Sequence, residues 1–405
     1  MTTDDSLATL AADRTNQRNA LIAGFLGWTL DAFDFFVLTY VLVPVANDFR
    51  LSVPDIALTL LATLAMRPVG AFVFGLMADR YGRRLPMALD VAFYTVVEVL
   101  SGLAPNYTAF FVLRLLYGIG MGGEWGVGAS LAMESVPAKW RGTLSGLLQE
   151  GYAFGALLAG LAYYVIFPRW GWRPLFFIGA VPAALTLIVL ARVRETEAWR
   201  QSRTDWTTYK NAMFRNWKLF LYLVLLMTMM NFMSHGTQDL YPTFLQRQRH
   251  FGARLTATTS MISMVGAILG GLAFGWYSDR QGRRRAMVTA ALLAALLTPL
   301  WILAPSLFLV TLGAFLMQFM VQGAWGVIPA HINELSPGAL RGFFPGFAYQ
   351  LGVLCASSIG YVEAVVGEHF SYTQSMGILA ATVLLVGAAV IALGPEAHGV
   401  KFSDE

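Results

Sequence analysis

The chain has 405 residues with a net charge of +4; 57% are drawn from AVILMFWYC and only 13% are charged, giving a mean hydropathy of +0.58. A soluble domain carries roughly 25% charged residues and about 45–50% apolar ones even with glycine counted, so a water-soluble enzyme or nucleic-acid binder is excluded. At about 20 apolar residues per membrane-crossing helix, this content fills about eleven or twelve spans and leaves no room for a separate catalytic domain.

Residues 1–18 carry acids and no apolar run, so no cleavable signal peptide is expected and the first apolar segment is a permanent span. Apolar runs between charged or Pro/Gly-rich punctuation place six spans at 19–43, 55–77, 86–103, 107–133, 143–166 and 173–193. Six more follow at 217–243, 256–277, 286–303, 306–332, 342–366 and 372–393, after a hydrophilic stretch from Arg194 to Asn216. Cys355, the one cysteine, lies in an apolar run and makes no intramolecular disulfide.

The halves repeat at an offset of 200. FGLMADRYGRRLPM (74–87) agrees with FGWYSDRQGRRRAM (274–287) at eight of fourteen positions, and residues 123–142 agree with 323–342 at eight of twenty. The chain therefore reads as an all-α membrane protein of twelve transmembrane helices in two parallel six-helix repeats, 1–200 and 201–405, with a substrate site between them near the midplane. With both termini in the cytoplasm, 20 basic residues lie inside and 6 outside, and the remaining two, Arg67 and Arg114, lie within spans. This bias predicts the orientation.

The loop GLMADRYGRR (75–84), copied at 275–284, resembles the signature of the major facilitator superfamily between its second and third helices. Gly75 and Gly82 suit close approach and a tight turn, and Asp79 can accept hydrogen bonds from a helix N-terminus or an arginine. Arg83 and Arg84 are expected to pair with acids on adjacent helix ends, Glu134 among them. The copies are Asp279, Arg283, Arg284 and Glu334. Such pairs would hold one side of the protein shut and release as the halves rock.

A charge at membrane depth costs at least about 2.5–3.5 kcal/mol and is a functional candidate by default. The first half holds Asp31, Asp34, Arg67, Asp90, Glu98, Arg114, Glu124 and Glu150; at the offset of 200 stand Asn231, Ser234, Ala267, Ala290, Thr298, Ala314, Ala324 and Gln350. Asp31 and Asp34 share one helix face. They are read either as proton carriers, with Asp239 and Glu150 as further candidates, or as static counter-ions to Arg67 or Arg114. Arg67 lies near mid-bilayer and can grip a carboxylate bidentately or serve as counter-ion to Asp34. Arg114, with the glycines of RLLYGIGMGG, resembles the fourth-helix motif of proton-coupled superfamily members; those glycines equally suit close helix packing. Asp90 and Glu363 receive no role.

The seventh span reads NFMSHGTQDLYPT from Asn231 to Thr243. Asn231, Ser234, His235, Gln238 and Asp239 fall on one stripe, which suits a water-filled cavity between the halves rather than lipid. The pattern N-x-x-[ST]-H-x-[ST]-Q-D-x-x-x-T resembles the seventh-helix signature of the fungal lactate permease branch of the sialate:proton symporter family. The runs GWTLDAFDFF and RPVGAFVFGLMADRYGRR are similar to the same family. In that family the stripe, an arginine of helix 2, an aromatic of helix 5 and a glutamine of helix 11 are associated with substrate recognition. The resemblance implies substrate roles for Arg67, Phe154, Asn231, Ser234, His235, Gln238 and Gln350. The chain is shorter than the fungal members, lacking their long termini and most of their central loop.

The expected activity is thus proton-coupled symport of a small monocarboxylate of the lactate or pyruvate type. The alternative is another organic acid, such as sialate, an aromatic acid or a dicarboxylate; the expected scarcity of aromatic and polyol-type ligands in the site argues against sialate. A proton-driven exporter would carry a Gly-Pro motif on the fifth helix, which here reads QEGYAFGALLAG. An intramembrane enzyme would need further ligands beside His235 and His331, and none is spaced for it. No cofactor, metal or nucleic-acid partner is expected. The partners are a small organic anion, protons and the lipid bilayer, and the chain is expected to act as a monomer in the cell (inner) membrane.

Overall fold

The computed structural model describes residues 3–51, 53–202, 206–238, 241, 244–245, 248–356 and 371–402. The regular elements among them are all helices, and nine are long and apolar enough to cross a membrane. Helices α1 (Thr3–Phe49), α2 (Val53–Tyr81), α3 (Arg84–Gly102) and α4 (Tyr107–Ser135) form the first four spans. The fifth comprises α5 (Arg141–Gln149) and α6 (Gly151–Trp170), and the sixth α7 (Arg173–Ile178) and α8 (Ala180–Ala191). Two short helices, α9 (Glu197–Ser202) and α10 (Trp206–Arg215), fill the central loop. Spans seven to twelve are α11 (Trp217–Gln238), α12 (Ala253–Gln281), α13 (Arg283–Leu303), α14 (Leu307–Leu335), α15 (Phe344–Ala356) and α16 (Tyr372–Leu393).

The helix ends differ from the apolar runs in two ways. Helix α1 begins well before residue 19, because polar residues continue it along the central loop: Arg194 donates its backbone N–H to Asn16 at 2.7 Å and pairs with Asp13 at 3.0 Å. The fifth and sixth spans are interrupted at Glu150 and Gly179, where hydropathy gives no sign of a break. The interruption at Glu150 is a bend rather than a stop, since its N–H still reaches the Gly146 carbonyl at 3.2 Å and its carbonyl accepts from Phe154 at 3.1 Å.

Gly82 and Gly282, the turn glycines of the two repeated loops, have φ of 101° and 93°, a region that strains any side chain bearing Cβ. Within the first half α4 packs on α1, α2 and α3; within the second α14 packs on α12 and α13, and α15 and α16 flank α11. The halves meet where α5 lies against α12 and α14, and α15 against α2 and α4. At the second seam a Cβ on Gly126 of α4 would stand 2.4 Å from the Gly346 Cα of α15, so the backbones touch.

Gly126→Leu is expected to force α4 from α15 at an overpacking cost of about 1–3 kcal/mol. Thermal denaturation in detergent should show a lower Tm than the wild type, with Gly126→Ala between them; an unchanged Tm for the leucine variant would mean the backbones are not in contact.

Candidate functional site

Between the halves lies a cavity of about 320 Å³, at the small end of the roughly 300–1,000 Å³ range of ligand sites. Arg67 reaches it from α2, and Asn231, Ser234, His235 and Gln238 line it from α11. The arginine and the polar stripe expected to face a common space therefore do so. Asp239 lies outside the described residues.

The polar wall is ordered from α14 as well as from its own helix. Gln322 donates to the Ser234 hydroxyl at 3.1 Å, Gln238 donates to Gln318 at 2.7 Å, and Asn231 donates to the Met227 carbonyl at 2.7 Å. The other walls are aromatic. Trp28 stacks on Tyr152 with centroids 5.5 Å apart, and Tyr349 meets Trp125 at 4.5 Å and Trp325 at 5.8 Å. This overturns the expectation of few aromatic ligands: Trp28, Phe35, Tyr152, Trp325 and Tyr349 come from four helices, and no single segment displays them together.

Two residues implied by resemblance do not line the cavity. Phe154 is 43% exposed and packs edge-on against Phe25; Tyr152, half a turn earlier on α6, takes the cavity position. Gln350 is buried behind the wall, its Nε2 3.5 Å from the Gly122 carbonyl of α4, while its neighbour Tyr349 faces the cavity. Each is displaced because helical rotation of 100° per residue turns adjacent positions to different surfaces.

Arg67 is 5% exposed, with Nη2 3.9 Å from the Asp31 carboxylate and the guanidinium carbon 5.8 Å from the Tyr349 ring centre. Its Nε and Nη2 meet no hydrogen-bond acceptor among the described residues. The arginine is thus partnered with Asp31 rather than Asp34, and loosely. Asp34 points to the sixth span, where a Cβ on Gly179 would lie 2.4 Å from its Oδ1. Arg114 instead holds Glu98 and donates to Ser101 at 2.6 Å. Glu150 is buried at the seam of the halves, where a Cβ on Gly271 of α12 would meet its Oε1 at 2.0 Å.

The repeated loops build a second site. Asp79 accepts from the backbone N–H groups of Gly342 and Phe343, in the turn that leads into α15, at 2.6 and 3.1 Å. Asp279 accepts from the N–H groups of Gly142 and Thr143 on α5 at 2.7 and 2.8 Å. Each half thus offers a carboxylate to the N-terminal turn of a helix in the other, where donors are unpaired and the helix dipole is positive. Arg83 joins Asp79 at 2.7 Å to Glu134 at 2.8 Å; Arg283 joins Asp279 at 2.8 Å to Glu334 at 2.9 Å. Tyr209 of α10 donates to Asp79 at 3.4 Å; burial and that carboxylate push its phenol pKa up, which keeps the donor protonated.

Arg84 and Arg284 differ from expectation. Arg84 donates to the Leu190 and Ala191 carbonyls at the end of α8, both at 3.1 Å, and Arg284 donates to the Gly394 carbonyl at 2.9 Å. They cap helix C-termini within their own halves rather than pairing with acids through their side chains. The acids that meet them, Glu195 and Glu396, bind the Arg84 and Arg284 backbone N–H groups at 3.1 and 2.8 Å. Sequence reasoning missed these two because they stand 201 apart rather than 200. It also missed Arg141, which crosses the seam to Glu334 at 2.9 Å.

Residues 24–268 match the Major Facilitator Superfamily, and residues 223–396 match the sugar (and other) transporter family. The chain belongs to the major facilitator superfamily. The sialic acid transporter NanX of Escherichia coli is 30% identical to it over 92% of this chain and 94% of its own. The carboxylic acid transporter protein homolog of Saccharomyces cerevisiae is 27% identical over 93% of this chain and 68% of its own. Among solved structures, the proton:xylose symporter XylE bound to 6-bromo-6-deoxy-D-glucose has the same fold, with a TM-score of 0.78 at 17% identity over 96% of this chain and 98% of that one. The protein is accordingly a multi-pass membrane transporter with the twelve-helix fold of this superfamily, not an enzyme.

In this transporter the seam hydrogen bonds recorded among the described residues lie on the side of the repeated loops or near mid-membrane. Ser145 donates to the Gly326 carbonyl and Ser130 to the Arg341 carbonyl, both at 2.7 Å. The face that carries the central loop is therefore closed. Arg83→Ala would leave Asp79 and Glu134 buried without their cation, a loss of about 3–5 kcal/mol, whereas Arg84→Ala removes an exposed C-terminal cap worth about 1 kcal/mol or less. Thermal unfolding in detergent is expected to rank them so; equal losses would remove Arg83 from the centre of the network.

Proposed function

We propose that the transporter is a proton-coupled symporter that carries a small organic monocarboxylate, of the lactate or pyruvate type, into the cell by alternating access. The observation that carries this reading is Arg67: a buried guanidinium lining the central cavity, held by a loose 3.9 Å approach to Asp31, in a space also lined by Asn231, Ser234, His235 and Gln238. An arginine so presented suits a carboxylate, and the stripe hydrogen-bonds the remaining polar atoms. Tyr152 replaces Phe154, and Tyr349 replaces Gln350, among the substrate-facing residues.

Coupling follows from the 3.9 Å approach of Asp31 to Arg67. A carboxylate substrate and the Asp31 carboxylate compete for one cation, so substrate binding favours proton uptake by Asp31, and one anion crosses with one proton. Asp34 acts beside it in a half that also buries Asp90, Glu98, Glu124 and Glu150 at membrane depth, with Arg67 and Arg114. Glu150 and Asp239 serve as further proton carriers. Residues 1–200 and 201–405 move as the two bodies, with the Asp79, Arg83, Glu134 and Asp279, Arg283, Glu334 networks gating the cytoplasmic face and Arg84 and Arg284 bracing it. Both termini lie in the cytoplasm, the membrane is the inner one, and the working unit is a monomer.

The aromatic walls favour a second cargo, an unsaturated or aromatic acid, whose flat face would stack on Trp28 and Tyr152. Relatives named as cis,cis-muconate and niacin transporters, 28% and 23% identical to this chain, accord with that choice.

Reconstituted protein is expected to accumulate labelled lactate under an inward proton gradient, and uptake indifferent to collapse of the gradient would sink the symport reading. Competition by short acids, dicarboxylates, niacin and sialate ranks the cargoes. Arg67→Ala should weaken substrate binding about 100-fold, from loss of roughly 3 kcal/mol of charge-assisted hydrogen bonding, while Phe154→Ala leaves it within about twofold; the reverse ranking would displace the cavity as the site. Asp31→Asn is expected to abolish accumulation against a gradient yet retain counterflow at equal pH, whereas loss of both would make Asp31 a structural counter-ion.

A further inference from the structure

We infer that the chain's C-terminal segment is a latch on the closed gate, with Phe402 as its key residue. After α16 ends at Leu393, the chain turns back beneath the gate and buries Phe402 to 6% exposure among Ala129, Met133 and Leu148 of the first half and Ala330 of the second. The guanidinium carbons of Arg141 and Arg341 stand 3.7 and 3.9 Å from the centre of its ring. Two guanidiniums that near one ring centre must occupy its opposite faces, so the ring is sandwiched between cations.

These arginines are equivalent positions of the two repeats, 200 residues apart, one on each moving half. Arg141 also donates to the Val400 carbonyl at 2.8 Å and to Glu334 at 2.9 Å. Arg341 is tied to its own half by bonds to the Asn333 and Ser336 carbonyls, each at 3.3 Å. When the halves part on this face the two arginines separate, and one ring cannot keep both. The sandwich is thus made only in the closed state, and a contact made in one state alone shifts the equilibrium toward it. The ring also lies between two like charges that closure brings together, and it supplies each with an electron-rich face.

This inference rests on the alternating-access reading and is tested without substrate or gradient. Ser145, fully buried where α5 meets α14, is replaced by cysteine in a Cys355→Ser background. The purified full-length protein then reacts with a maleimide. Phe402→Ala is expected to speed labelling about tenfold, Arg341→Gln to speed it with the ring retained, and Phe402→Tyr to restore the slow rate. Asp279→Ala, which removes a gate contact that does not itself touch the ring, is the control. Faster labelling in Asp279→Ala but not in Phe402→Ala or Arg341→Gln would overturn the latch alone. Unchanged labelling in all three would overturn both the latch and the gating reading on which it rests.

Discussion

The closed face of this transporter depends on one interaction made twice: a carboxylate from one half seated on the N-terminal turn of a helix in the other. Asp79 at α15 and Asp279 at α5 each accept two backbone N–H groups across the seam. Helix N-termini have unpaired donors and a positive end, so the carboxylate contact is favourable in itself; one buried cation, Arg141, also crosses the seam, to Glu334 at 2.9 Å. Arg83 and Arg283, which pair with the two aspartates, belong to the same halves as those aspartates. In the proposed opening, Arg83 would keep Asp79 and Glu134, Arg283 would keep Asp279 and Glu334, Arg141 would leave Glu334, and water would replace the amide contacts. In the proposed gating role, this arrangement would let the face open without leaving either aspartate an uncompensated buried charge.

Symmetry explains where the gate is strong, and its failure explains where the chemistry lies. The repeated loops are nearly the same in both halves, and so are their ion pairs. The membrane-depth charges are not: the first half buries acids around Arg67 and Arg114, while the second presents amides, a hydroxyl and His235. The cavity lies where these unlike interiors face one another. Arg67 is shared between an acid behind it and the open space before it, the condition under which a proton and an anion can influence each other.

Much of this was legible in the sequence because membrane residence imposes simple rules. Without water to pair the backbone, spans must be helices, and a charge within one must have a reason. The twelve spans, the repeat, Arg67 and the stripe from Asn231 to Gln238 all follow. Less legible were residues whose role depends on rotation about a helix axis. Tyr152 against Phe154, and Tyr349 against Gln350, differ by one or two positions in sequence and by the whole width of a helix in space.

The sequence by itself thus determined the fold, the halves, and which polar groups stand inside them, because hydropathy and a fixed repeat are properties of the chain. Only the tertiary structure decided what those groups touch. It paired Arg67 with Asp31, turned Arg84 into a helix cap, gathered aromatic residues from four helices into cavity walls, and set Phe402 between arginines from opposite halves. The physical reason is that these contacts join helices far apart in the chain, and side-chain direction on a helix is fixed only by what packs against it.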